Sequence, residues 1–473
     1  MNNVNSKPIS LLTITLVASL GGFLFGFDMA VISGVLPLVQ KQFILSAAQE
    51  GWFVSSALVG CIIGVAFSGE LSDRFGRKKP LLITAILFVL SALGCAIMPS
   101  LSGVITSRVI GGIGIGIASN VVPLYISEIA PAAIRGRLVT YYQFALTFGI
   151  LVAYLSNAAL LSNVAALDSG LSAGFLTNMF NDEVWRGMLG VGILPALLFL
   201  IGVFFIPESP RWLIQKGRTE EAVSIISRIT KRTKEEVQSD QLKQNLKHEK
   251  GSYKELFAPG MRKALLIGIL LPLFSQFSGI NAIIYYGPTI LNNAGISLNN
   301  SLISQIIFGL ANMVFTLVAI WKVDSWGRRP LYLFGTAGAT ITLVLTGLCF
   351  YYGATTSIWL LVCVLGFLAC FAFSIGPLKF VVASEIFPNA IRGRALAISI
   401  MVMWIADTIV GQLTPILLEE IGSAGTFWFF AFFCLVAFFA VYKLLPETKG
   451  KSLEQIESDW KGKVVDNEPV FVH

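Results

Sequence analysis

The sequence predicts an all-α membrane protein: twelve transmembrane helices in two six-helix bundles, with a cytoplasmic helical segment between them. Three observations lead there. Of the 473 residues 55% are hydrophobic and only 13% charged, and the mean hydropathy is +0.76. A soluble domain carries about 25% charged residues, so this chain has too little charge to cover a soluble surface. That excludes a soluble enzyme, a disordered chain and a nucleic-acid binder. Next, twelve mostly apolar runs each approach the ~20 residues that cross a bilayer. Finally, the second half of the chain repeats motifs of the first.

The runs fall near 10–36, 50–71, 80–98, 102–126, 138–162 and 187–206, then near 263–293, 300–323, 331–352, 357–384, 394–418 and 424–445. The first is too long for the apolar core of a signal peptide and contains an acid, Asp28, so it reads as a retained span. Of 34 Lys and Arg residues, 30 lie on one side, in the N-terminus, the even-to-odd loops, the segment 207–262 and the tail. Lys41 and Arg186 lie on the other side, and Arg108 and Lys379 lie within spans. Positive residues stay cytoplasmic, so both termini are expected there. This accounts for the net charge of +7 without a nucleic-acid partner. The expected domains are 1–206, a six-helix bundle; 207–262, a cytoplasmic linker; 263–445, a second bundle; and 446–473, a tail. Within the linker, WLIQKGRTEEAVSIISRI has helical periodicity.

Six cysteines lie in apolar runs without CxxC spacing, and both histidines lie in polar segments. Neither set reads as a metal site or a disulfide framework. Gly112 and Gly116 sit in a span with no strand before them, so they read as close helix packing and not as a nucleotide loop. No Walker loop and no nucleophile–base pair occurs, so no cofactor and no enzyme activity is expected.

Asp73-Arg74-Phe75-Gly76-Arg77 follows span two, and Asp324-Ser325-Trp326-Gly327-Arg328 follows span eight at an offset of 251. The stretch from Glu128 through Arg135 to Arg137 returns from Glu385 through Arg392 to Arg394 at an offset of 257. Pro207-Glu208-Ser209-Pro210-Arg211 closes the first half, and Pro446-Glu447-Thr448-Lys449 the second. A duplicated six-helix unit places a substrate path between the halves near the midplane. Acidic and basic residues at these helix ends can pair across neighbouring helices and bias a bistable pair of bundles. Simple topology anchoring explains the cations alone but not the paired acids.

These motifs resemble those of the sugar porter branch of the major facilitator superfamily, from Gly21 to Glu457. The resemblance implies a cytoplasmic latch drawn from Asp73, Arg77, Glu128, Arg135, Glu208, Arg211, Asp324, Arg328, Glu385, Arg392 and Glu447. It also implies sugar contacts at Phe25, Gln143, Gln276, Asn281, Tyr285, Asn312 and Trp404. Amide side chains offer both donor and acceptor to sugar hydroxyls, and Trp404 offers an apolar face with a donor at its edge. Gln276 and Asn281, five residues apart, diverge by roughly 140° on a straight helix. They can share a cavity if span seven bends, which Gly279 permits.

Three positions depart from the family pattern. Its paired glutamines of span seven read Ser275-Gln276, its span-ten tryptophan reads Phe380 after the unusual Lys379, and the polar residue before the span-eleven tryptophan reads Met403. Lys379 and Phe380 are therefore candidate sugar-site residues in their own right. Lys379 and Asp407, opposite charges on consecutive spans, either pair beside the cavity or face the water path separately. A lone carboxylate at Asp28 is costly in a span, and the resemblance pairs it with Arg108 as the proton-coupling site. The expected function is proton-coupled import of a monosaccharide, a pentose or hexose, by alternating access. The alternatives are an uncoupled facilitator and a non-transporting sugar sensor. The expected partners are the sugar, protons and the lipid bilayer, for a monomer in the bacterial inner membrane.

Overall fold

The computed structural model describes residues 10–131, 134–162, 183–230, 233, 236, 256–258, 261–355, 358–387 and 391–447, without the side chains of 135–136, 319–325, 380, 384 and 392. The tail and most of the linker thus lie outside the described residues, as do the side chains of Arg135, Asp324, Phe380 and Arg392. Every regular element described is helical.

In the first half α1 is Leu11–Phe43, α2 Ala47–Phe75, α3 Lys78–Ile97, α4 Leu101–Ile129 and α5 Arg135–Ser162; the sixth span is α6 Val184–Gly190 followed by α7 Ile193–Phe205. The linker holds α8 Pro210–Gln215 and α9 Thr219–Thr230. In the second half the seventh span is α10 Arg262–Phe277 and α11 Ile280–Asn293, then come α12 Leu298–Trp326 and α13 Arg328–Tyr351. The tenth span is α14 Ile358–Cys370, a π turn Phe371–Ile375 and α15 Gly376–Ile386, and the last two are α16 Arg392–Glu420 and α17 Gly422–Leu444. Twelve spans are long and apolar enough to cross a membrane. Each coincides with an apolar run read from the sequence.

Local chemistry starts and stops these helices. Ser46 opens α2 in a capping box with Gln49, its backbone N–H donating to Gln49 Oε1 at 3.0 Å. The hydroxyl of Ser100 caps α4 and that of Ser297 caps α12. Within the first half α2 packs on α4 closely enough that a Cβ on Gly60 would stand 2.9 Å from the Gly112 Cα. Gly112 and Gly116 are therefore packing residues, as the sequence implies. The start of the sixth span is tied down outside the apolar core: Trp185 Nε1 donates to Gln42 Oε1 at 2.7 Å, and Glu183 takes Arg186 and Gln42. Partial burial pushes the Glu183 carboxyl up, but those bonds and the Arg186 charge outweigh it and hold it below the usual range. The linker docks on the first half through Trp212 Nε1, which donates to the Asp73 carbonyl at 3.0 Å.

The halves meet along three seams, α1 with α11, α2 with α16 and α5 with α12. Four hydrogen bonds cross between halves among the described residues. Ser55 donates to Gln412 Oε1 at 2.9 Å, Gln412 Nε2 to the Ala48 carbonyl at 3.0 Å, Tyr154 to the Ile284 carbonyl at 3.4 Å and Tyr285 to Met29 Sδ at 3.3 Å. All four lie at mid-bundle or toward the end remote from the repeated loop motifs. The bundle is thus closed at that remote end.

Candidate transport site

The break in the seventh span builds the centre of the site. Gly279 adopts φ +84°, a left-handed conformation that ends α10 and lets α11 restart in a new direction. The bend expected from the sequence is present, and it brings Asn281 Nδ2 to 2.8 Å from Gln276 Oε1. Asn281 Nδ2 also donates to Asp407 Oδ1 at 2.7 Å, and the Tyr285 hydroxyl donates to Asp407 Oδ2 at 3.2 Å. On α16, one turn before Asp407, Trp404 is buried with its ring centroid 5.3 Å from that of Phe25 on α1. The Trp404 Nε1 hydrogen has no partner among the described residues. A buried indole N–H without an acceptor costs about 1–3 kcal/mol, and a ligand oxygen would remove that cost.

Lys379 and Asp407 do not form the direct pair offered as one alternative. Lys379 Nζ donates to Ser275 Oγ at 2.9 Å while Asp407 is held by Asn281 and Tyr285, although the two charges still attract. Ser275 takes a Lys379 hydrogen, and Asn281 and Tyr285 take one Asp407 oxygen each. Gln143 on α5 and Asn312 on α12 are half-buried on helices that pack together. Neither makes a side-chain hydrogen bond among the described residues, so the structure does not tie them to the α10–α11–α16 cluster.

Asp28 and Arg108 also differ from the expected contact. No ion pair joins them among the described residues. Arg108 Nε donates to the Phe53 carbonyl at 3.1 Å and the guanidinium stands 5.4 Å from the Phe53 ring centroid. Arg108 Nη1 is buried without a partner. The two residues interact through space, and Asp28 lines a small cleft with Leu24, Phe88 and Leu189. The carbonyl and ring of Phe53 outcompete the carboxylate for the guanidinium in this conformation.

The loop motifs form two equivalent networks. In the first half Arg77 pairs with Glu128 at 2.8 Å, and Glu208 Oε1 accepts from the Arg77 backbone N–H at 2.7 Å. In the second Arg328 pairs with Glu385 at 2.9 Å, and Glu447 Oε1 accepts from the Arg328 backbone N–H at 3.0 Å. Glu208 and Glu447 thus each cap the helix after a duplicated loop, where a carboxylate meets the positive helix end. Asp73 is exposed, 3.8 Å from Arg77, and Arg211 is exposed without an ion pair among the described residues. Each described pair lies within one half. Among the described residues the contacts between the halves lie at the other end.

Sequence reasoning missed the crossing residues Ser55, Gln412 and Tyr154, and Asp407 as a partner of Asn281 and Tyr285. Gln412 and Asp407 carried a signal, being polar residues deep in a span. Ser55 and Tyr154 carried none, since a serine hydroxyl in a span commonly bonds within its own helix and a tyrosine there commonly packs by its ring.

Twelve spans, an internal duplication and a buried polar cluster where the halves meet define a membrane carrier. Residues 14–460 match the family model described as sugar (and other) transporter. The chain is 41% identical over 448 residues to the arabinose-proton symporter of Bacillus subtilis, covering 94% of each chain. It is 38% identical over 491 residues to the D-xylose-proton symporter of Escherichia coli, covering 97% of each. The partially occluded inward-open conformation of the xylose transporter from E. coli matches with a TM-score of 0.79 and 36% identity, over 93% of this chain and 99% of that one. The chain belongs to the sugar transporter family of the major facilitator superfamily.

Proposed function

We propose that the protein imports a neutral monosaccharide, a pentose or hexose, together with a proton, by alternating access between its two halves. The observation that carries this is the Trp404 indole: buried, against Phe25, with its N–H unpartnered among the described residues, one turn from a carboxylate that is itself bonded to the amide of Asn281. A flat apolar ring with hydrogen-bonding groups at its edge suits a sugar ring with hydroxyls at its rim. Phe25, Gln276, Asn281, Tyr285 and Trp404 line the sugar path in this reading, with Gln143, Asn312, Lys379 and Phe380 completing it. The relatives named as arabinose- and xylose-proton symporters support the substrate class and the coupling.

Asp28 is the proton-coupling residue in this reading, with Arg108 its partner. Its protonation changes the balance between Asp28, Arg108 and the Phe53 carbonyl, and so the relative energy of the two bundle arrangements. The loop acids and cations, from Asp73 and Glu128 to Glu385 and Glu447, form the latch in the opposite arrangement, with Arg135, Arg211, Asp324 and Arg392. Residues 1–206 and 263–445 move as the two bodies, joined by 207–262. The protein is a transporter rather than an enzyme and works as a monomer in the inner membrane with both termini cytoplasmic, so the closed end faces outward. The membrane potential supplies about 2.3 kcal/mol per charge per 100 mV, about 50-fold accumulation for one proton per sugar. Uptake of labelled xylose, arabinose and galactose into proteoliposomes, with and without an imposed proton gradient, tests it. Uptake unaffected by collapse of the gradient would leave an uncoupled facilitator.

A further inference from the structure

Asp407 is an acid that this reading leaves without a task. It is 2% exposed on α16. Its two oxygens accept from Asn281 Nδ2 and the Tyr285 hydroxyl, and the same Asn281 nitrogen donates to Gln276. An amide nitrogen has two hydrogens and a phenol one. Both Asn281 donors are therefore committed to protein acceptors, and the Tyr285 proton is divided between Asp407 and Met29. An ionised acceptor makes such bonds roughly twice as strong as neutral ones. The carboxylate thus holds back two of the donors a sugar would need.

The surrounding charges are few. Lys379 of α15 is the charge that acts on Asp407, and Asp407 in turn acts on the neutral groups Tyr285 and Tyr286 of α11 and Cys61 of α2, where Arg108 of α4 and Asp28 of α1 are also felt. No charged group of α10 or α17 acts on it among the described residues. The structure also connects this acid to the other half, since the Tyr285 hydroxyl touches Met29, the residue after Asp28.

We propose that Asp407 is a second proton site, inside the sugar pocket, and that taking up a proton there frees Asn281 and Tyr285 to donate to sugar hydroxyls. The proposal rests on the sugar–proton reading above. One proton from the aqueous phase adds to a carboxylate oxygen, and no other covalent bond changes. The neutral acid holds its two donors weakly and they turn to the sugar. Sugar affinity rises as pH falls, through Asp407 and independently of Asp28.

Calorimetric binding of xylose, arabinose and galactose to the full-length protein in lipid nanodiscs, from about pH 5 to about pH 9, tests this. The variants are Asp28→Asn, Asp407→Asn and the two combined. In Asp28→Asn the affinity falls about tenfold as pH rises, the worth of one or two hydrogen bonds. In the double variant it stays flat at the low-pH value. In weakly buffered solution sugar binding takes up protons in Asp28→Asn and none in the double variant. Asp407→Glu retains the pH dependence and serves if the asparagine variants do not fold. A flat profile in Asp28→Asn, or the same slope in the double variant, overturns the second proton site and leaves the sugar–proton reading standing. No binding of any of the three sugars at any pH overturns that reading and this proposal together.

Discussion

The buried indole of Trp404 is a single residue on which a measurement can turn. Its ring is sealed against Phe25 and its N–H waits for an acceptor. Trp404→Ala and Asn281→Ala are each expected to weaken sugar binding by about 1–3 kcal/mol, since each strands a sugar hydroxyl; calorimetry reads this directly. Unchanged affinity in both would move the sugar site elsewhere. Asp28→Asn is expected to abolish accumulation driven by a proton gradient while counterflow exchange of labelled sugar continues. Arg108 is already held by Phe53 in this conformation, so loss of the charge should not unfold the first half. Full concentrative uptake by the variant would remove Asp28 from the coupling.

At the scale of an element, the seventh span shows how one backbone angle builds a site. Gly279 at φ +84° leaves no room for a side chain: an added Cβ would stand 2.6 Å from the Phe430 ring. Gly279→Ala is expected to lower thermal stability by at least about 1 kcal/mol. It should also weaken sugar binding, because Gln276 and Asn281 lose their common direction. Wild-type melting and binding in this variant would show that the bend is not required. The duplicated caps offer a second test. Glu208→Ala and Glu447→Ala each remove a carboxylate from backbone N–H donors at a helix start. Each should cost about 1–3 kcal/mol, read as a lower melting temperature.

For the whole molecule, the position of the contacts between halves decides which arrangement is populated. Among the described residues the polar crossings are Ser55–Gln412, Gln412–Ala48, Tyr154–Ile284 and Tyr285–Met29, while the loop pairs Arg77–Glu128 and Arg328–Glu385 each lie within one half. At the closed seam a Cβ on Gly51 would lie 2.5 Å from the Gln412 carbonyl oxygen. Gly51→Leu is therefore expected to wedge this end open and shift the population to the opposite arrangement. Transport should fall while sugar binding persists, and a cysteine reporter at Gln412 should become accessible to a membrane-impermeant reagent. Normal transport with an inaccessible reporter would show that the close approach at Gly51 does not control the seam.

Twelve spans, their bounds to within a few residues and the duplication were legible in the sequence, because hydropathy and paired motifs are properties of the chain alone. The bend at Gly279 was legible too, since two amides five residues apart need a break to share a cavity. What the sequence by itself did not determine is which neighbour each buried charge selects. Arg108 takes the Phe53 carbonyl and ring, Lys379 takes Ser275, and Asp407 takes Asn281 and Tyr285. Likewise Glu208 and Glu447 each cap the helix after a duplicated loop in their own half, a choice of partner the motifs alone do not fix. These choices are differences of a few ångströms between competing partners on different helices. Only tertiary packing sets such distances, and in a carrier that alternates between two packings they belong to the conformation as much as to the chain.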